Sequence, residues 1–155
     1  MSPWQYGYFK TVLFSDGWIK NMKQEITEST IMKDLQSVMS TLKTSKNTGV
    51  MLSVDDFGTG YFLLNYLKKF PIDALKIDAS FVRDVQTDPN DRAIIKSIIA
   101  LARNMGLKII AEGVESPAQL EILATMGCDY IQSYFVGHPM SASDCEQQFL
   151  IKSKR

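Results

Sequence analysis

The sequence predicts an α/β domain built around a parallel sheet. The strongest sign is repetition: from residue 20 onward one unit recurs five times, a short apolar run followed by an amphipathic helix. Such alternation is accommodated by right-handed crossovers that carry the chain from one strand to the next parallel one. The apolar runs are also nearly continuous rather than alternating, as strands covered on both faces require. A length of 155 residues suffices for one domain with a sizeable core.

Each unit has its own signals. The first strand is read in "MKQEITES", and the helix after it carries Ile31, Leu35, Val38, Met39 and Leu42 at helical spacing. The second is "VMLSVDDFG"; its helix holds Leu63, Leu64 and Leu67 and must stop before Pro71, since a residue preceding proline is driven out of the helical region. "ALKIDASFV" is the third strand. Its helix begins near Pro89, buries Ile94, Ile95, Ile98, Leu101 and Met105, and ends at Gly106. The fourth strand, "LKIIAEGV", leads into a helix with Ser116 as N-cap, Pro117 in its first turn and Gln119 closing a capping box. Gly127 is its stop. "DYIQSYFVG" is the fifth strand, after which Ser143 and Glu146 are spaced as a further capping box.

Composition narrows the function classes. Lys plus Arg equals Asp plus Glu at 17 each, so no broad positive field invites a nucleic-acid polymer. No stretch reaches the roughly 18 to 20 apolar residues that span a bilayer, and insertion in a membrane is not expected. Cys128 and Cys145 lack CxxC spacing and read as reduced, structural thiols of a cytoplasmic protein.

The polar residues carry the functional signal. Glu25 and Glu28, Asp55 and Asp56, Lys76 and Asp78, Glu112 and Glu115, and Gln132 lie in or at the ends of the five expected strands. Parallel α/β folds bind ligands at the carboxyl ends of their strands, so these side chains are placed to converge on one rim. Asp55 and Asp56 sharpen the question. Adjacent carboxylates repel, so a positive partner is expected beside them, either a metal ion or a lysine.

"EITES", "DDFGTGY", "LKIDASFV", "AEGVE" and "GCDYIQSY" follow one another in the order and spacing of the EAL family, the cyclic-di-GMP-specific phosphodiesterases of bacterial signalling, which the chain resembles from about residue 24 to 150. The resemblance implies a (β/α)8 TIM-type barrel, of which about five C-terminal βα units are present. It also implies a site with two Mg²⁺ or Mn²⁺ ions. Glu25, Asp55, Asp56 and Glu112 are the implied metal ligands. Lys76 is implied to contact the hydrolytic water or the phosphate, and Gln132 to orient the site. Asp56 is implied in both metal binding and catalysis, and Glu28 as the anchor of the loop beginning at Asp56–Phe57–Gly58. The donor chemistry agrees: hard oxygens suit Mg²⁺ or Mn²⁺, and no His or Cys cluster offers a softer site.

A (β/α)8 barrel takes about 250 residues. The Glu-Ala-Leu tripeptide is absent from the sequence, and the family's asparagine ligand and early arginine have no counterpart. Phe62 and Leu63 stand where the family has serines, Ser133 replaces a glycine, and His138, expected in a solvated loop, occupies a position where a basic residue is common. Residues 1–22 are set apart as an unmatched N-terminal segment in which Asp16–Gly17 suits a hairpin turn, and residues 23–155 as a partial EAL domain. The expected function is that of a truncated EAL domain for two-metal hydrolysis of cyclic di-GMP to linear pGpG, weakly active or inactive alone, in the bacterial cytoplasm. The alternatives are a non-catalytic cyclic-di-GMP-binding or protein-interaction module, or a folded fragment with no function of its own. An incomplete barrel leaves sheet edges and apolar surface uncovered, which makes a homodimer the expected stable form.

Overall fold

The computed structural model describes residues 23–27, 35–59 and 67–145. Five parallel strands lie side by side in chain order: β1 (Lys23–Thr27), β2 (Met51–Phe57), β3 (Ala74–Ile77), β4 (Lys108–Glu112) and β5 (Tyr130–Gln132). The helices are α1 (Leu35–Asn47), α2 (Ala79–Arg83), α3 (Pro89–Asn104), α4 (Pro117–Met126) and α5 (Ala142–Cys145). This is an α/β partial barrel, as expected. The helix around Leu63 and Leu64, the N-terminal hairpin, Ile31, Glu28, Phe62 and Glu146 lie outside the described residues.

Strand alternation sorts the sheet into two faces. Leu52, Val54, Leu75, Ile77, Ile109, Ala111 and Ile131 pack with Ile95, Ile99 and Ala102 of α3 and Leu123 of α4 in one core. Ser53, Asp55, Ala74, Lys76, Ile110 and Glu112 occupy the intervening positions and belong to the opposite face, the interior of the barrel wall.

The strands' amino ends carry a repeated device. The backbone N–H of Asp73 donates to Leu52 O at 2.8 Å, and its carboxylate accepts from Leu52 N at 2.8 Å and from Lys46. Asp129 repeats the pattern: its N–H donates to Ile109 O at 3.2 Å, and its carboxylate accepts from Ile109 N at 2.9 Å and Lys108 Nζ at 2.8 Å. Both aspartates stand one residue before a strand and extend the ladder by pairing with the neighbouring strand's backbone. Carboxylates at this end are thus consumed by structure.

Several local expectations are corrected. "ALKIDASFV" is not one strand: β3 stops at Ile77 because the Asp78 side chain accepts from Ser80 N at 2.8 Å and starts α2. In α3, Ile94 is among the exposed large apolar residues, and Ile99 and Ala102 take the buried positions beside Ile95 and Ile98. The fifth run yields only Tyr130–Gln132 as strand, after which Ser133 O accepts from Val136 N at 3.2 Å and Gly137 N at 3.1 Å in a turn. Ser143 lies inside α5, and Ser141 Oγ accepts from Asp144 N at 3.2 Å instead. The capping box at Ser116 and Gln119, with Pro117 in the first turn and Gly127 at the end, forms as the sequence indicates.

Candidate functional site

Four strands deliver ionisable side chains to the carboxyl rim of the sheet. Lys76 stands level with Ile110, two residues short of Glu112, and its long stem carries the ammonium up to the rim. There the Nζ, on a side chain only 1% exposed, lies 2.8 Å from Glu25 Oε1 and 3.0 Å from Asp55 Oδ1, and also bonds Glu112. Burial works against the charged ammonium, but the bonds to Glu112, Glu25 and Asp55 outweigh it and hold the Lys76 pKa above its ordinary value. Glu112 is raised chiefly by burial, which the Lys76 bond opposes without cancelling.

Asp56 reaches the same centre by a break in the strand. Val54 pairs with Leu75 and Phe57 with Ile77, so β2 fits two residues where β3 has one. In a regular strand Asp56 would point to the face opposite Asp55. The bulge, with Asp56 at φ 54°, instead leaves both aspartates between two core-facing residues. Aspartate is among the few side chains that tolerate the left-handed region, and such strain clusters at functional sites. Carboxylate oxygens of Asp55, Asp56 and Glu112 lie within 4.8 Å of one another. Partial burial raises the Asp56 pKa, and the charges of Asp55 and Asp78 add to it. Asp78 itself is lowered: burial opposes this, but bonds from the Ser80 side chain and backbone prevail.

Three carboxylates at this spacing are close enough together to share one metal ion. Glu25, Asp55, Asp56, Lys76 and Glu112 therefore come together. Gln132 lies opposite Glu112 in the register, at the same rim but exposed. Glu115 stands apart in the loop after β4, where its backbone N–H donates to Gln119 Oε1 at 2.7 Å. His138 is exposed, as expected of a solvated loop, and stacks on Tyr134 at 4.7 Å between ring centroids. The sequence showed the adjacent aspartates but not the bulge that aims them together; Gly58 just beyond was the one local hint of irregular backbone.

A partial parallel barrel whose strand ends gather carboxylates around a lysine defines a barrel-type α/β protein, with a candidate site at the carboxyl rim where that architecture places one. The EAL domain family model matches residues 1–139, a span that takes in the first 22 residues, and the chain belongs to the EAL domain family. It is 47% identical over 118 residues to the bifunctional diguanylate cyclase/cyclic di-GMP phosphodiesterase MucR of Pseudomonas aeruginosa, covering 76% of this chain and 17% of that protein. Among solved structures, the PaMucR phosphodiesterase in complex with c-di-GMP superposes with a TM-score of 0.75 at 44% identity, covering 81% of this chain and 51% of that one. Klebsiella pneumoniae BlrP1, solved as a manganese/cy-diGMP complex, gives 0.70 at 30% identity, with 76% and 30% covered. The chain thus spans under a fifth of MucR and about half of the solved PaMucR chain.

Proposed function

We propose that this chain carries part of a cyclic-di-GMP phosphodiesterase site, binding a divalent cation at Asp55, Asp56 and Glu112 and the cyclic dinucleotide over the carboxyl rim of the sheet. The observation that supports this most is the β2 bulge, which turns two consecutive aspartates toward one centre at the cost of a strained backbone. The complexes of the relatives, PaMucR with c-di-GMP and BlrP1 with manganese and cy-diGMP, supply the ligand classes. Bound Mg²⁺ or Mn²⁺ lowers the pKa of a water and stabilises a leaving phosphate oxygen. Within the chain, Glu25 joins the ligand set and Lys76 places a positive charge beside the phosphate or attacking water. Gln132 orients from the neighbouring strand, and Glu28, outside the described residues, is assigned by family resemblance alone to anchor the loop beginning at Asp56–Phe57–Gly58.

Turnover by these 155 residues alone is weak or absent, because the Glu-Ala-Leu glutamate and the asparagine ligand are not among them. Sites built from several ligands lose activity non-additively when one is missing. A non-catalytic cyclic-di-GMP-binding role is the second reading, favoured by the same gap. Among the described residues β1 and β5 are the outer strands of the sheet, and a homodimer in which a second copy covers their edges fits this arrangement. Calorimetric titration with cyclic di-GMP in Mg²⁺ and in Mn²⁺, with chromatography of the same samples for linear pGpG, tests the reading. Metal-dependent binding is expected. Its absence with both ions refutes the proposal, and pGpG at a multiple-turnover rate refutes the statement about activity.

A further inference from the structure

We infer that the Lys76 ammonium is the resident counter-cation of the carboxylate centre, and that a divalent cation and this ammonium compete for the same oxygens. The competition, though not the counter-cation role, rests on the metal reading above. An ammonium has three N–H donors and no acceptor. Lys76 directs its Nζ to three carboxylates, those of Glu25, Asp55 and Glu112, which use its hydrogen-bonding capacity fully. Its side chain is 1% exposed, so solvent does not share the work of neutralising it.

Two of those three partners, Asp55 and Glu112, are also two of the three carboxylates whose oxygens lie close enough to hold a metal ion. Asp56, the third, is not an ion-pair partner of Lys76 and lies on the bulge. The arrangement therefore holds the carboxylates in place without metal. Glu25, Asp55, Asp56 and Glu112 would otherwise gather four negative charges at one rim, and the lysine on the central strand keeps them from repelling one another apart. A cation drawing on Asp55 and Glu112 meets the ammonium as a like charge and releases it from those bonds, leaving it free to face a substrate oxygen.

Lys76→Met keeps the stem and removes the charge. In EDTA this variant is expected to unfold at lower temperature than wild type, and Lys76→Met/Glu112→Gln to recover part of the loss by removing one uncompensated carboxylate. Mn²⁺ binding, read by electron paramagnetic resonance, is expected to tighten in Lys76→Met by about tenfold or more, since a nearby like charge is gone. In the wild type, the Lys76 ammonium NMR signal is expected to be protected in EDTA and to exchange faster as Mg²⁺ is added. Equal or weaker Mn²⁺ binding by Lys76→Met, with wild-type binding intact, overturns the inference alone. No Mn²⁺ binding by either protein overturns the metal reading and the competition with it. If Lys76→Met does not fold even with Mn²⁺, the wild-type ammonium signal decides: no change on saturation with Mg²⁺ overturns the inference.

Discussion

Gly113 follows Glu112 directly, and replacing it with alanine tests whether the rim is held by close backbone packing. Its φ is +67°, and a Cβ built there would lie 2.6 Å from Ala79 Cβ and 3.4 Å from Ala79 Cα, at the start of α2. Two costs add. The left-handed conformation costs an ordinary residue about 1–2 kcal/mol, and overpacking against a side chain that cannot rotate away costs about 1–3 kcal/mol more. Gly106→Ala separates them, because Gly106 has φ +71° and nothing within 4 Å of the point a Cβ would occupy. Urea unfolding in EDTA should show Gly106→Ala losing about 1–2 kcal/mol and Gly113→Ala losing about 2–5 kcal/mol. Because the clash is between Ala79 and position 113, directly after Glu112, the second variant should also weaken Mn²⁺ binding while the first leaves it unchanged. Equal losses in the two variants would falsify the packing argument.

Gln119→Ala removes a buried amide that accepts from Glu115 N at 2.7 Å and Ser116 N at 3.0 Å and donates to Arg83 O at 3.1 Å. A loss of about 2–4 kcal/mol is expected, against about 1 kcal/mol for Ser116→Ala; similar values for the two would show that the tie to α2 adds nothing. Ser53 is 2% exposed with no partner for its hydroxyl among the described residues, beside a cavity of about 10 Å³ between Ala74, Ile110 and Tyr130. Ser53→Ala should leave stability unchanged or raise it by up to about 1 kcal/mol, and a clear loss in chemical denaturation would reveal a bond at that hydroxyl. The Lys76 cluster sets an alkaline limit. Its pKa is raised on folding, so its stabilisation is complete below the unfolded value of 10.5 and is lost as pH rises through the folded value. Melting temperatures in EDTA should begin to fall once the pH exceeds 10.5 in wild type and fall less in Lys76→Met; parallel profiles would remove Lys76 as the cause.

The fold was legible because its signals are local. Period, apolar run length and the Ser116–Gln119 capping box each depend on residues within a few positions; the five strands formed in the expected order, and the capping box formed where the sequence put it. The boundary at Ile77 was missed for a physical reason: Phe81 and Val82 extend an apolar run, yet Asp78 caps Ser80 N and turns the chain into α2. The face of α3 was missed by one step of the helix, since Ile94 and Ile99 fit the periodicity equally well and only the packing of the sheet distinguishes them.

The sequence by itself determined which chemistry is available: hard carboxylates at Glu25, Asp55, Asp56 and Glu112, one lysine among them, and parallel strands to carry them to a common rim. Tertiary structure decided how that chemistry is arranged. Side-chain alternation would have sent Asp55 and Asp56 to opposite faces, and only pairing with β3, which fixes Val54 and Phe57 in the core on either side, forces the extra residue into a bulge. Likewise, the sequence pointed to a divalent metal as the partner of the aspartate pair, with Lys76 nearby, but could not show that the ammonium itself reaches Asp55. The stagger of neighbouring strands places Lys76 two positions below Glu112, and the length of its side chain brings the ammonium to three carboxylates that lie far apart in the chain.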